Sequence, residues 1–166
     1  MIDPIKLIAF NTWANRRLTD QVSTFSSELF TKELGGSFPS IQLTLGHVLT
    51  SDYLWLQRFR GIPIADIPAT WNTNTVESIM GIWAPIQDEM EASVRELSIN
   101  QVQKVNFITR AGTAYSLPFA DLVVHITNHG TYHRGQIVNM IRMLGEKPVN
   151  TDYFIFCTVN SDATNK

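Results

Sequence analysis

A chain of 166 residues can bury roughly 70% of its accessible surface in one folded unit, and 44% hydrophobic against 17% charged residues excludes a disordered polymer. A net charge of -2 excludes a dominant phosphate-binding surface, so no nucleic-acid partner is expected and Arg16-Arg17 and Arg58/Arg60 read as solvated faces. The single cysteine, Cys157, excludes an internal disulfide and suits a reducing compartment as a buried spectator thiol.

The opening Met1-Ile-Asp-Pro-Ile-Lys-Leu lacks the charged start, apolar run and small-residue cleavage site of a signal peptide. No apolar run approaches the roughly 18 residues that cross a bilayer. A cytoplasmic protein without a membrane partner is therefore expected.

Asp3 before Pro4 reads as an N-cap with proline at the first helical position. Leu7, Phe10, Trp13, Ala14, Leu18 and Val22 follow at helical spacing, which carries a first helix to Val22 or Thr24. Residues 27–39 hold Gly35-Gly36 and Pro39 and are expected to form a connecting loop. Ser40 then caps a second helix that runs to Phe59 and stops at Gly61 and Pro63. Within it Leu43, His47, Thr50 and Leu54 share one face, so His47 is expected among residues that pack inward.

Residues 61–74 contain Pro63 and Pro68 and read as a long crossover. A third helix spans Thr75 to Leu97, and Pro85 inside it predicts a kink or break around Trp83-Ala84, because proline removes a donor and clashes with the preceding turn. Val105 to Thr109 and Ala114 to Leu117 favour strands, and Arg110-Ala-Gly112-Thr between them predicts a hairpin. A fourth and longest helix follows Pro118, with Gly145 as its stop and Pro148 beyond. Tyr153 to Cys157 is apolar enough to pack as a short extra element. The expected fold is all-α, a four-helix bundle with a long crossover plus a small hairpin before the last long helix. One domain is expected over 1–160, with a frayed tail at 161–166.

The fourth helix carries most of the chemistry. His125, His129 and His133 stand four residues apart, and each such step turns an α-helix about 40° and climbs about 6 Å. The core seam runs Leu122, Ile126, His129, His133, Ile137, Met140 and Leu144, so two histidines occupy seam positions while His125 lies one place off it. Two buried imidazoles leave ring donors and acceptors in need of partners, and an unpaired polar group in a core costs about 1–3 kcal/mol. A divalent metal answers that need. Imidazole suits zinc, nickel, copper and iron, and His47 on a facing helix supplies a third ligand. The opposing reading, satisfied core or surface histidines, weakens once the seam positions and His47 are taken together.

Gly130 and Gly46 adjoin two of these histidines, and glycine within a helix costs about 1 kcal/mol relative to alanine, which calls for close helix approach or open access to the metal. No glutamate follows His129, so the helical zinc-protease signature is absent and proteolysis is unsupported. His125 is a candidate extra ligand or an outer partner, able to bond Asp121 one turn away. Asn128 and Gln136 are candidates to orient ligands. Trp13 and Tyr132 are candidate pocket walls, and Arg134 a candidate for an anionic substrate group, although a solvated or ion-paired arginine is the reading to prefer.

The phrase Asn128-His129-Gly-Thr-Tyr-His133-Arg-Gly-Gln136, with His47 inside Leu45-Gly-His47-Val-Leu and the first-helix stretch Asn11-Thr-Trp13-Ala-Asn15, resembles the DinB/YfiT-like family over roughly residues 2 to 145. The resemblance implies a four-helix bundle, a three-histidine divalent site often holding nickel or zinc, and frequent homodimers. Carried over by position, the implied ligands are His47, His129 and His133. Many relatives have a second histidine where this chain has Tyr132. Some relatives transfer or use low-molecular-weight thiols. Two functions stay open: a metal-dependent enzyme activating a thiol or water nucleophile for a small-molecule substrate, or a stress-related protein binding metal or a small ligand without turnover.

Overall fold

The structure, a computed structural model, describes residues 3–162. It is mostly helical, with one small antiparallel hairpin. The elements run α1 (Pro4–Val22), α2 (Ser27–Thr31), α3 (Ile41–Phe59), α4 (Val76–Ile99), β1 (Lys104–Ile108), β2 (Ala114–Pro118), α5 (Phe119–Met143) and α6 (Tyr153–Asp162). No helix among the described residues is long and apolar enough to cross a membrane.

Local chemistry sets the helix ends. The Asp3 carboxylate accepts from the backbone of Ile5 and Lys6, and Ser40 Oγ accepts from Leu43, each satisfying amides that the first helical turn leaves without partners. Gly61 and Gly145 adopt φ of 79° and 85° just past α3 and α5. There Ile62 donates back to the Gln57 carbonyl and Glu146 to that of Ile141, the hydrogen bonds of a Schellman stop.

The four long helices pack in a ring, α1 and α3 each lying against both α4 and α5. Leu18, Leu49, Ile79 and Ile126 are among the side chains sealed inside. In the hairpin, Lys104 pairs with Pro118 and Ile108 with Ala114. Its alternation turns Val105 and Phe107 inward, and Phe107 meets Trp55 of α3 edge-on at 5.2 Å.

Three expectations change. The stretch 27–39 is not all loop: Ser26 caps the short α2, whose Phe30 is 1% exposed and anchors it in the core. Of the kink or break expected at Trp83-Ala84, a break is excluded, since α4 continues through Pro85. Pro85 and Gly81, whose carbonyl loses its partner, are both exposed, so water can take that acceptor. The short tail element is a ten-residue helix, α6, with Phe156 packed on Phe10 and Ala14. The frayed stretch expected at 161–166 lies, from 163 onward, outside the described residues.

Polar groups from all four long helices meet inside the ring. Trp83 Nε1 donates to Asp52 Oδ2 at 2.9 Å. Arg134 Nη1 donates to Asn11 Oδ1 and Asn15 Oδ1, both at 2.7 Å, while Asn15 Nδ2 is buried without a partner. Burial pushes the Asp52 carboxyl up to about 7, outweighing the Trp83 hydrogen bond and the charge of Arg134.

The folded chain thus holds that proton more tightly than the unfolded chain, whose ordinary value is 3.8. The stability this contributes is present at low pH and is lost as pH rises through about 7. Asp52→Asn keeps an oxygen for Trp83 and removes the ionisation. Its melting temperature is expected to gain on that of the native chain as pH rises from about 4 to about 7, then to hold a constant lead. Thermal denaturation across this range checks it, and a lead independent of pH would contradict it.

Candidate metal centre

His129 and His133 lie one turn apart on α5, and His47 reaches them from α3. His129 Nε2 is 3.1 Å from His47 Nε2 and 3.1 Å from His133 Nε2. One ligand atom from each of the three lies within 4.8 Å of the others. Two nitrogens bound about 2.0–2.1 Å from one tetrahedral zinc ion stand about 3.3–3.4 Å apart. The cluster therefore has nearly the size that an ion requires.

Gln136, one turn further along α5, fixes the tautomer. Its Oε1 lies 2.7 Å from His133 Nδ1, and an amide oxygen can only accept, so His133 Nδ1 carries the proton and Nε2 presents a bare lone pair. His129 Nε2 faces two nitrogens at once. Whichever tautomer His129 adopts, it cannot make a hydrogen bond of each contact while all three rings are neutral. A cation at the centre removes the conflict.

The rings are held in the form that binds metal. Burial brings His129 down to about 4, helped by repulsion from His133, His47 and His125. Burial and then His133 lower His47 as well. Neutral imidazole is the ligand, so near neutral pH neither ring has to lose a proton first.

The DinB family model matches residues 1–163. The chain belongs to the DinB family. A relative, Protein DinB of Bacillus subtilis (strain 168), is 30% identical over 170 residues, covering 95% of this chain and 96% of the relative.

In this DinB chain the remaining predicted site residues do not all gather at the histidines. Gln136 is at the cluster, and Tyr132, 65% exposed, presents its ring edge-on to His133 at 5.0 Å. His125 stands outside the cluster. It is exposed, lies against Trp55 edge-on at 5.2 Å and is 6.1 Å ring to ring from His129. No hydrogen bond joins it to Asp121 among the described residues. Burial and then Arg58 lower its pKa.

Trp13 does not wall this site: it packs on Phe10 and Phe156 and lines a different cleft with Arg16 and Arg17. Asn128 and Arg134 line a cavity on the other side of α5. Arg134 is 3% exposed and bonded to neutral oxygens, so among the described residues it is neither a solvated nor an ion-paired arginine. Arg58 is not simply a solvated face, since it lies over the rings of Trp55 and Phe107.

The two glycines also separate. A Cβ on Gly130 would fall on Asn11 Oδ1 and within 2.8 Å of Arg134 Nη1, so this glycine serves the close approach of α1 to α5. A Cβ on Gly46 would meet only Thr73 at ordinary contact distance. Gly46 lines a cleft of about 520 Å³ beside His47, lined also by Phe38, Ile67, Pro68 and Trp71. The His47 face of α3 is correspondingly half open rather than inward-packed, with Leu43 49% exposed.

Phe38, within the stretch expected as a loop, stacks on His47 at 4.2 Å and meets His133 edge-on at 5.7 Å. A lone aromatic between glycines and proline carries no periodic signal. Asn11 and Asn15 were more accessible to inference, as buried polar residues four apart on an otherwise apolar face.

His133→Ala is expected to abolish stoichiometric binding of nickel or zinc, and His125→Ala to leave it nearly intact. Gln136→Leu frees the His133 tautomer and is expected to weaken binding about 10- to 100-fold. Elemental analysis with competition titration against a chelator measures all three, and equal losses from the two histidine variants would contradict the assignment.

Proposed function

We propose that His47, His129 and His133 hold one divalent ion, nickel or zinc, and that the protein is a metal-dependent enzyme activating a thiol or water nucleophile, in the manner of a thiol transferase. The observation that carries this reading is a cluster of three histidines, held neutral or fixed in tautomer, bordering an open cleft, with His125 outside the set of ligands. Three neutral ligands leave the ion's charge uncancelled and coordination positions open, which favours the deprotonated form of a thiol or water near neutral pH.

The chain's own groups do the positioning. Gln136 holds the His133 ring by its Nδ1 proton, and Phe38 braces His47 from the cleft side. Ile67, Pro68 and Trp71 give the cleft apolar walls that exclude water and accommodate the body of a small substrate or low-molecular-weight thiol. We read the ring of long helices as a four-helix bundle with the 60–75 segment as its crossover. A homodimer in the cytoplasm, without nucleic-acid or membrane partners, completes the proposal.

A second reading, binding of metal or a small ligand without turnover in a stress response, is favoured by one observation. Among the described residues no carboxylate or cysteine joins the three-histidine cluster.

The purified protein, loaded with nickel or zinc, is to be assayed for transfer of small thiols to electrophilic acceptors and for hydrolysis of simple esters. Activity is expected to follow metal occupancy and to fall at least about 100-fold in His129→Ala. Tight metal binding with no turnover across these substrates would leave the binding reading in its place.

A further inference from the structure

A second cavity, of about 710 Å³, lies between α1, α5 and the segment leading into α6. Most of its α5 lining, Thr127, Thr131, Arg134, Val138 and Arg142, sits about half a turn around the helix from His129, His133 and Gln136, at 100° per residue. The two sites occupy opposite faces of one helix.

The outer wall is tied down. The Gln21 side chain donates to the Lys147 carbonyl at 2.7 Å and accepts from the Val149 amide at 2.8 Å. Arg17 Nε donates to the Asn150 carbonyl at 3.0 Å, and Asn150 Oδ1 accepts from the Asp152 amide at 2.8 Å. Tyr153, which also lines the cavity, packs edge-on against Phe10 at 5.0 Å. The cavity is thus formed in advance of any occupant.

Three cationic side chains, Arg134, Arg142 and Lys147, line it against one acid, Asp152. Arg134 is 3% exposed, yet its partners are the neutral oxygens of Asn11, Asn15 and Thr131 and the ring of Phe10 at 5.4 Å. No carboxylate lies within ion-pair distance of it among the described residues. A guanidinium has five N–H donors, and the two it has left belong to Nε and Nη2, neighbouring nitrogens of the fork. Asp52 reaches it only through the core, and burial holds that carboxyl near half-protonation at neutral pH. A buried cation with only neutral partners is a costly arrangement that an anion would relieve.

We propose that this cavity is a second binding site, for a small organic anion with one carboxylate on an apolar body. The carboxylate meets Arg134, with Arg142 and Lys147 adding charge, and the body lies against Leu7, Phe10, Val138 and Val149. Two adjacent N–H donors match the planar carboxylate fork, and the apolar lining gives a bare ion such as phosphate nothing further to bind.

Isothermal titration of the full chain with phenylacetate, acetate and inorganic phosphate tests this. Phenylacetate is expected to saturate one site per chain, at least about tenfold more tightly than either of the others. The double variant R142Q/K147Q, altered at two exposed side chains, is expected to bind it about tenfold more weakly. His47→Ala, which dismantles the histidine cluster, is expected to leave its affinity unchanged. The proposal is overturned by no saturable binding up to about 10 mM, by equal affinity in R142Q/K147Q, or by phosphate matching phenylacetate. Loss of binding in His47→Ala would place the anion at the histidines instead and overturn it as well.

Discussion

The arrangement of this protein depends on how α1 locks α5 in rotation. Arg134 extends into the ring and is gripped by Asn11 and Asn15, one helical turn apart on α1, and Gly130 lets the two helices close on that grip. A residue is displaced about 100° around a helix from its neighbour, so pinning Arg134 toward α1 turns His133 toward α3. His47 is there to meet it. The polar contact between α1 and α5 therefore sets the geometry of a site to which α1 contributes no side chain.

The two polar assemblies inside the helices obey different chemistry. Around Arg134 and Asp52, most donors meet acceptors; Asn15 Nδ2 and two N–H groups of Arg134 are left over. At the histidines, three ring nitrogens converge with too few protons and no carboxylate. A hydrogen-bonded core would not be built that way, because facing lone pairs repel. Convergence of like acceptors on one point is the arrangement a cation rewards, and the depressed basicity of His129 keeps protons from competing for that point.

How much of this could be read from the residues depended on whether the signal was local. Asp3-Pro4, Ser40, Gly61 and Gly145 act on the backbone next to them, so the ends of the long helices were legible. The seam through His129 and His133 was legible too, because helical periodicity alone separates them from His125. Features set by distant chain segments were not. Trp13 reads as a wall for the histidines until α6 arrives to cover it with Phe156. Arg134 reads as a surface charge until α1 is laid against it. Pro85 reads as a kink or break because the pattern does not reveal that its turn faces water. Phe30 of α2 was hidden by the glycines and proline that follow it.

One consequence follows from where the three histidines come from. His47 and His129 are 82 positions apart in the chain, and between them lie the 60–75 segment, α4 and the hairpin. An ion held by both is also a clasp, closing a long loop that the unfolded chain would leave free, and loop closure of that kind carries an entropic weight that grows only slowly with length. Because such a clasp binds the folded chain and not the unfolded one, its contribution rises with free ion concentration. The resistance of this chain to unfolding would then register how much metal its surroundings supply.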